Sequence, residues 1–209
     1  MHKDFRFIKS KLGFTLIELL VSISVLVIVS GISVSIFISV IQGQKKIFSD
    51  QEAYGQLGYV LEYIGKPLRM AGKDISNAGD CLEAPGRNYL LTRYNEDLGF
   101  YTGIKFINQS DNNSCQEFYL DVDELNNLGT IKAIKDGQDP ISLTSDKIDI
   151  ESLGFIINGN IENVILNYSS EDDEIQPRVT ILIRALLVSN PNDIIKLQTT
   201  ISQRNLNIK

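Results

Sequence analysis

A single carboxylate, Glu18, stands in an otherwise apolar run from Phe14 to Ile41. An acid at the centre of a membrane helix costs roughly 2.5–3.5 kcal/mol on insertion scales, so an acid in that setting is read first as a functional group. Near the membrane edge, beside a helix N-terminus with its partial positive charge, the cost is lower. The plain alternative is an acid that snorkels to the interface. Other chemistry-bearing side chains are few: His2 is the sole histidine, and Cys81 and Cys115 are the only cysteines. These are too few soft ligands for a Cys/His zinc site, and they leave no base for a histidine-dependent triad in the body of the protein. Asp121, Asp123 and Glu124, and the run Glu171-Asp172-Asp173-Glu174, offer hard oxygen ligands for calcium. The first set lacks the Gly and the distal Glu of an EF-hand loop, and acid runs in turns are usually solvated. With no Gly-x-Ser-x-Gly elbow and no phosphate loop, the expectation is no enzymatic activity, no metal and no cofactor.

Composition bounds the elements that must position these groups. The chain has 209 residues, is 43% hydrophobic and 22% charged, and carries 15 Gly and 5 Pro, so it is neither disordered nor collagenous. Its 20 basic and 26 acidic residues give a formal net charge of −6, and no nucleic-acid partner is expected. The apolar content is uneven, concentrated in the first 41 residues.

Lys3, Arg6, Lys9 and Lys11 against Asp4 precede that run, and Leu19 to Ile41 then carries no charge over 23 residues. About 20 such residues cross a hydrocarbon core of roughly 30 Å, so the segment is long enough for one helical span. The positive flank keeps Met1 in the cytoplasm and sends everything after Ile41 outside. A secretory signal peptide would have a shorter apolar core ending in a small-residue cleavage site; here the run is longer and no A-x-A stop follows it. An ordinary signal anchor is the other plain alternative.

Lys11-Leu12-Gly13-Phe14-Thr15-Leu16-Ile17-Glu18-Leu19-Leu20-Val21 resembles the type III signal of the type IV pilin superfamily, which includes pilins, minor pilins and the pseudopilins of type II secretion. The resemblance implies that a prepilin peptidase cuts after Gly13 and methylates the new amino group of Phe14. It also implies that Glu18 pairs with the N-terminal amine of a neighbouring subunit as helices dock into a filament. The anchor would stay in the mature protein. Removing residues 1–13 takes away four positive charges and one negative, which moves the formal net charge from −6 to −9. Many major pilins have a helix-breaking Pro inside the anchor, and this stretch has none. It has Gly31 and six serines (22, 24, 30, 33, 35 and 39), which can hydrogen-bond along or between helices.

Beyond the anchor, Ile47, Tyr54, Leu57, Leu61, Ile64 and Leu68 keep a helical period. Such a stripe packs on the protein's own sheet or, over barely three heptads, forms a coiled coil. Gly55, Gly58 and Gly65 weaken the helix and permit close approach. Pro67 should kink or thin it, and Ala71-Gly72 supplies a stop. Lys66-Pro67-Leu68-Arg69-Met70-Ala71-Gly72, followed by a Cys-containing loop, resembles the PilW-type minor pilins, whose architecture is shared with the J-type pseudopilin. Short runs of strand character follow at 89–93, 101–108, 117–121, 130–135, 147–153, 163–168, 178–187 and 194–208, separated by turn residues. The run 178–187 reads as one fully or mostly buried strand, and Ser189-Asn190-Pro191-Asn192 as the turn into the last. The closing Thr-Thr-Ile-x-x-Arg-Asn-Leu string from Thr199 to Leu206 also resembles PilW-like and J-like sequences. Cys81 and Cys115 both fall outside the cytoplasm on this topology, which most simply means one disulfide, worth about 3–4 kcal/mol on the chain-entropy estimate. Two free thiols with redox work are the alternative, and neither sits in a C-x-x-C.

The expected fold is α+β: a leader at 1–13, an apolar assembly helix at 14–41, its amphipathic continuation at 42–72, and a β-rich head at 73–209 built on antiparallel sheet. The expected protein is a PilW-like minor pilin that enters or primes a type IV pilus. Its partners would be prepilin peptidase, the cell membrane, and other pilins through the N-terminal helix. It would sit as a single-pass inner-membrane protein before assembly, and in a pilus or periplasmic pseudopilus afterwards. The alternatives are a J-like pseudopilin, a pilus-tip adhesin or DNA-uptake module, and a membrane-anchored enzyme.

Overall fold

A computed structural model of the chain describes residues 13–74, 81–83, 85–123, 125–159 and 176–204. The chain divides into two compact units, Met1–Ser49 and Asp50–Lys209. One helix, α1 (Leu16–Arg69), contributes its first part to the former and its last turns to the latter. In the first unit every described side chain before Ser49 is exposed.

Among the described residues, the second unit joins the end of α1 to nine strands: β1 (Ala71–Gly72), β2 (Tyr89–Asn95), β3 (Phe100–Asn108), β4 (Ser114–Val122), β5 (Gly129–Lys135), β6 (Ile141–Ser142), β7 (Ile148–Asn158), β8 (Arg178–Leu187) and β9 (Asn190–Ser202). They form two antiparallel sheets. The larger runs β1-β3-β4-β5-β6, with β2 sharing the β1 edge of β3; the smaller runs β7-β8-β9. The expected α+β class is therefore present, with its β half divided in two. A single core joins Leu57, Ile64 and Leu68 of the helix to residues of both sheets, such as Phe106, Phe118, Ile181 and Ile201. The sheets approach closely where Gly129 donates its N–H to Asp149 Oδ1 at 2.8 Å. A Cβ on Gly129 would lie 2.0 Å from the Ile150 carbonyl oxygen, so only glycine admits this crossing.

The end of the helix organises the head. The last carbonyls of an α-helix have no partner within it, and here separate parts of the chain supply donors. Tyr89 Oη donates to Leu68 O at 2.7 Å, Arg204 N to Arg69 O at 2.7 Å, Gln109 N to Met70 O at 3.0 Å, and Gln203 Nε2 to Ala71 O at 2.6 Å. Pro67 lies in the last turn and the helix continues through it to Arg69. Ala71-Gly72, expected as a bare stop, pairs with Ile107 and Asn108 as β1.

Several expectations change. Of the helical stripe, Leu57, Ile64 and Leu68 are buried and Leu61 half-buried, but Ile47 and Tyr54 are exposed and Ala53 and Val60 take part instead. Ala53, Leu57, Val60, Ile64 and Leu68 repeat at intervals of four, three, four and four, the spacing of a single helix face, and the larger side chains at 47 and 54 fall off it. Of Gly55, Gly58 and Gly65, the last approaches another element, at Ile201, whereas the first two face open space. Strand β8 is buried on one side only: Val179, Ile181, Ile183, Ala185 and Leu187 point inward and the residues between them outward, because the small sheet is covered on one face. The turn into β9 is Val188-Ser189, and Asn190-Pro191-Asn192 opens the strand itself. Proline is tolerated there because, among the described strands, β9 lies at the edge of its sheet. In β7 a bulge between Ile150 and Ser152 shifts the side-chain parity, so that Ile148 and Ile150 before it and Leu153 and Phe155 after it all reach the core. The strand expected at 163–168 lies outside the described residues.

Cys81 and Cys115 form a disulfide with Cα atoms 5.8 Å apart, which pins the β1–β2 loop to β4 beside Leu82, Leu90 and Ile107. Abolishing it, with Cys81→Ser and Cys115→Ser together, is expected to lower the unfolding free energy by about 3–4 kcal/mol, read from urea denaturation against the oxidised chain. Burial pushes the Tyr89 phenol well above its ordinary value of 10.0. A folded pKa raised above the unfolded one means that this group's contribution is fully present below pH 10 and is lost as the pH climbs beyond it. Tyr89→Phe should cost about 1–2 kcal/mol at neutral pH through the lost hydrogen bond to Leu68 O. It should also flatten the alkaline fall in thermal midpoint relative to the parent chain.

Candidate functional site

The N-terminal segment contains three of the residues singled out by sequence: Gly13, Phe14 and Glu18. Gly13, Phe14 and Thr15 precede the helix, and Phe14 is 77% exposed. The helix starts at Leu16, and the first turn of its ladder runs from Leu19 N to Thr15 O at 3.2 Å. Glu18 is thus the third helical residue, and its carboxylate lies in the turn where free backbone N–H groups and the helix dipole favour negative charge.

Thr15 is the residue that sequence reasoning missed. Its Oγ1 accepts the Glu18 backbone N–H at 3.3 Å, and its hydroxyl faces Glu18 Oε2 at 3.5 Å. The signal was present in the letters: Thr15-Leu16-Ile17-Glu18 is the T-x-x-E pattern of a capping box. Threonine as N-cap and glutamate three residues on define where the helix begins. That start leaves Phe14, the residue expected to carry the mature amine, outside the helical ladder.

From Leu16 onward the surface is apolar on all sides. Leu20, Ile23, Leu26, Val27, Ile28, Ile32, Ile36 and Phe37 are each at least half exposed. The helix is long and apolar enough to cross a membrane, with a mean hydropathy of 2.6 over its most apolar window and none of that window buried. Four of the six serines turn their hydroxyls back along the helix: Ser22 to Glu18 O at 2.7 Å, Ser24 to Leu20 O at 2.8 Å, Ser33 to Val29 O at 2.8 Å and Ser35 to Gly31 O at 3.1 Å. Their polar groups are satisfied locally, which lets them occupy a surface with no water to bond.

The disulfide residues belong to the second unit and have no part in this site. Of the calcium candidates, Asp121 and Asp123 have partners within the chain. Asp121 pairs with Lys132 Nζ at 2.5 Å, and Asp123 Oδ1 accepts the Leu125 N–H at 2.9 Å. Glu124 and residues 171–174 lie outside the described residues. Among the described residues no group of three or more His, Cys, Asp or Glu is placed to hold a metal ion.

Thr15→Ala should loosen the first turn by about 1 kcal/mol, raising the amide-exchange rate of Glu18 and Leu19 several-fold in micelles, while Thr15→Ser should leave it near the parent rate. Residues 8–34 match the family described as the prokaryotic N-terminal methylation motif, a span that includes Gly13, Phe14, Thr15 and Glu18. No curated protein and no solved structure matches the chain. The chain therefore carries the prepilin-type signal of type IV pilin-like and pseudopilin proteins at the start of a helix fit to anchor it in a membrane.

Proposed function

We propose that this chain is a minor pilin of the PilW kind, cut by prepilin peptidase after Gly13, methylated on the amine of Phe14, and drawn from the membrane into a type IV pilus or the complex that primes it. The observation that carries the proposal is a helix whose apolar side chains from Leu16 to Val40 stay exposed, with one carboxylate in its first turn. A surface of that kind is stable in lipid or against other helices like it. Exchange of lipid for packed helices is then the driving force for assembly. Glu18 sets the register: a carboxylate leaving the membrane interface needs a cation, and the freed amine of a neighbouring Phe14 supplies one at the same depth. The formal charge of −9 on the processed chain speaks against DNA capture as the main task of the head. The head is assigned no catalytic role.

The anchor would hold the protein as a single inner-membrane span with the head outside, where the Cys81–Cys115 bond is chemically at home. A J-like pseudopilin shares all of this physics.

Mass spectrometry of the mature protein purified from membranes should find Phe14 as the first residue, with one methyl group on its nitrogen. An intact Met1 would remove the basis of the proposal. Glu18→Ala should still be processed and still reach the membrane, but its incorporation into sheared filaments should fall to background. Normal incorporation of that variant would show that the acid does not set the register.

A further inference from the structure

The second unit contains a groove of about 1200 Å³ between the last turns of α1 and the C-terminal half of β9. Its helix side presents Glu62, Lys66 and Arg69, and Arg204 closes one end. Thr199, Thr200, Ile201 and Ser202 line it consecutively. Alternate residues of a strand point to opposite faces, so four in a row reach one groove only if the strand turns its edge toward it. Strand β9 is indeed the outer strand of the small sheet, paired with β8 alone among the described strands.

Exposed edges invite further pairing, and proteins blunt them with proline and charge. The first half of β9 is blunted in that way by Pro191, Asp193 and Lys196, whereas Leu197 to Ser202 carries neither proline nor charge. The unprotected half is the half that lines the groove. The charge there also runs against the rest of the molecule. Lys66, Arg69 and Arg204 are exposed and have no ion-pair partner among the described residues, and they face one acid, Glu62, in a chain whose net charge is −6.

We infer that this groove receives an extended acidic segment of another protein, which adds to β9 as a fourth strand of the small sheet and sets its carboxylates against Lys66, Arg69 and Arg204. Main-chain hydrogen bonds to the edge of β9 that no described strand pairs supply affinity, and the three cations select the charge of the incoming strand. The helix wall on one side and the hydroxyls of Thr199, Thr200 and Ser202 on the other favour an alternating peptide with small β-branched residues between the acids. This surface is independent of the role assigned to the N-terminal helix.

The test uses the full chain in detergent micelles and fluorescence anisotropy of a labelled peptide, Thr-Glu-Val-Glu-Thr-Glu-Val. Three controls accompany it: the same peptide with lysine for glutamate, the acidic peptide N-methylated at alternate residues, and the Lys66→Glu/Arg69→Glu variant of the protein. The acidic peptide should bind about tenfold or more tightly than the lysine peptide, and N-methylation should remove most of that binding, because a methylated nitrogen cannot join a strand ladder. The double variant should reverse the preference while keeping the parent circular dichroism spectrum. Equal binding of the acidic and lysine peptides, or no effect of N-methylation, would overturn the proposal. So would failure to bind the peptide in a chain whose self-association the double variant abolishes, which would give the groove to a second copy.

Discussion

Apolar side chains must leave water, and from Phe14 to Ile41 the described ones are exposed. That constraint shapes the whole first unit. In hydrocarbon a backbone can satisfy its own polar groups only as a helix or a closed barrel, so a lone segment of this length becomes a helix. Serine is tolerated within it because its hydroxyl folds back on the carbonyl four residues earlier, as Ser22, Ser24, Ser33 and Ser35 do. The one carboxylate is placed in the first turn, where the exposed amides and the Thr15 hydroxyl meet it. An acid at mid-helix would have none of these and would bear the full cost of desolvation.

The same helix meets a different medium in the second unit and changes character accordingly. From Ala53 onward its side chains sort into one buried face and one wet face, and the carbonyls at and just beyond its end are taken up by Tyr89 of β2, by Gln109 just after β3 and by Gln203 and Arg204 after β9. A helix end that collects donors from three distant parts of the chain couples their folding to its own. The Cys81–Cys115 bond adds a covalent tie between the segment before β2 and β4, and buried Asp74 braces that segment by accepting the Leu82 N–H.

Most of the strands were legible because half-buried antiparallel sheet writes its burial into the sequence as alternation, and turn residues punctuate it. The runs at 101–108, 130–135 and 178–187 reappear within a residue as β3, β5 and β8. The two-residue strands β1 and β6 left no such trace, since two residues carry no period. The alternation of β8 was hidden by Leu182 and Leu186, which are apolar although they face outward, so the letters resemble a strand buried on both sides. Pro191 reads as part of a turn because Ser189-Asn190-Pro191-Asn192 is made of turn-type residues, and whether a strand can admit proline depends on its place in the sheet. At the candidate site, Glu18 stands out as the lone acid of an apolar run and Gly13 and Phe14 follow from the resemblance to the type IV pilin signal, whereas the Thr15 cap is written in the T-x-x-E pattern and escapes both readings.

The letters by themselves determined the anchor, its single acid and the α+β class, because each follows from local spacing: charge against apolar length, and periods of 3.6 and of 2. Tertiary structure alone decided that the described β half splits into two sheets, that Ala53 and Val60 face the core in place of Ile47 and Tyr54, and that Lys66, Arg69 and Arg204 gather beside a strand edge that no described strand pairs. These depend on which residues distant in the chain come to lie together. Arg69 and Arg204 are separated by almost the whole head in sequence, and only the closing of the sheets on the helix makes them neighbours.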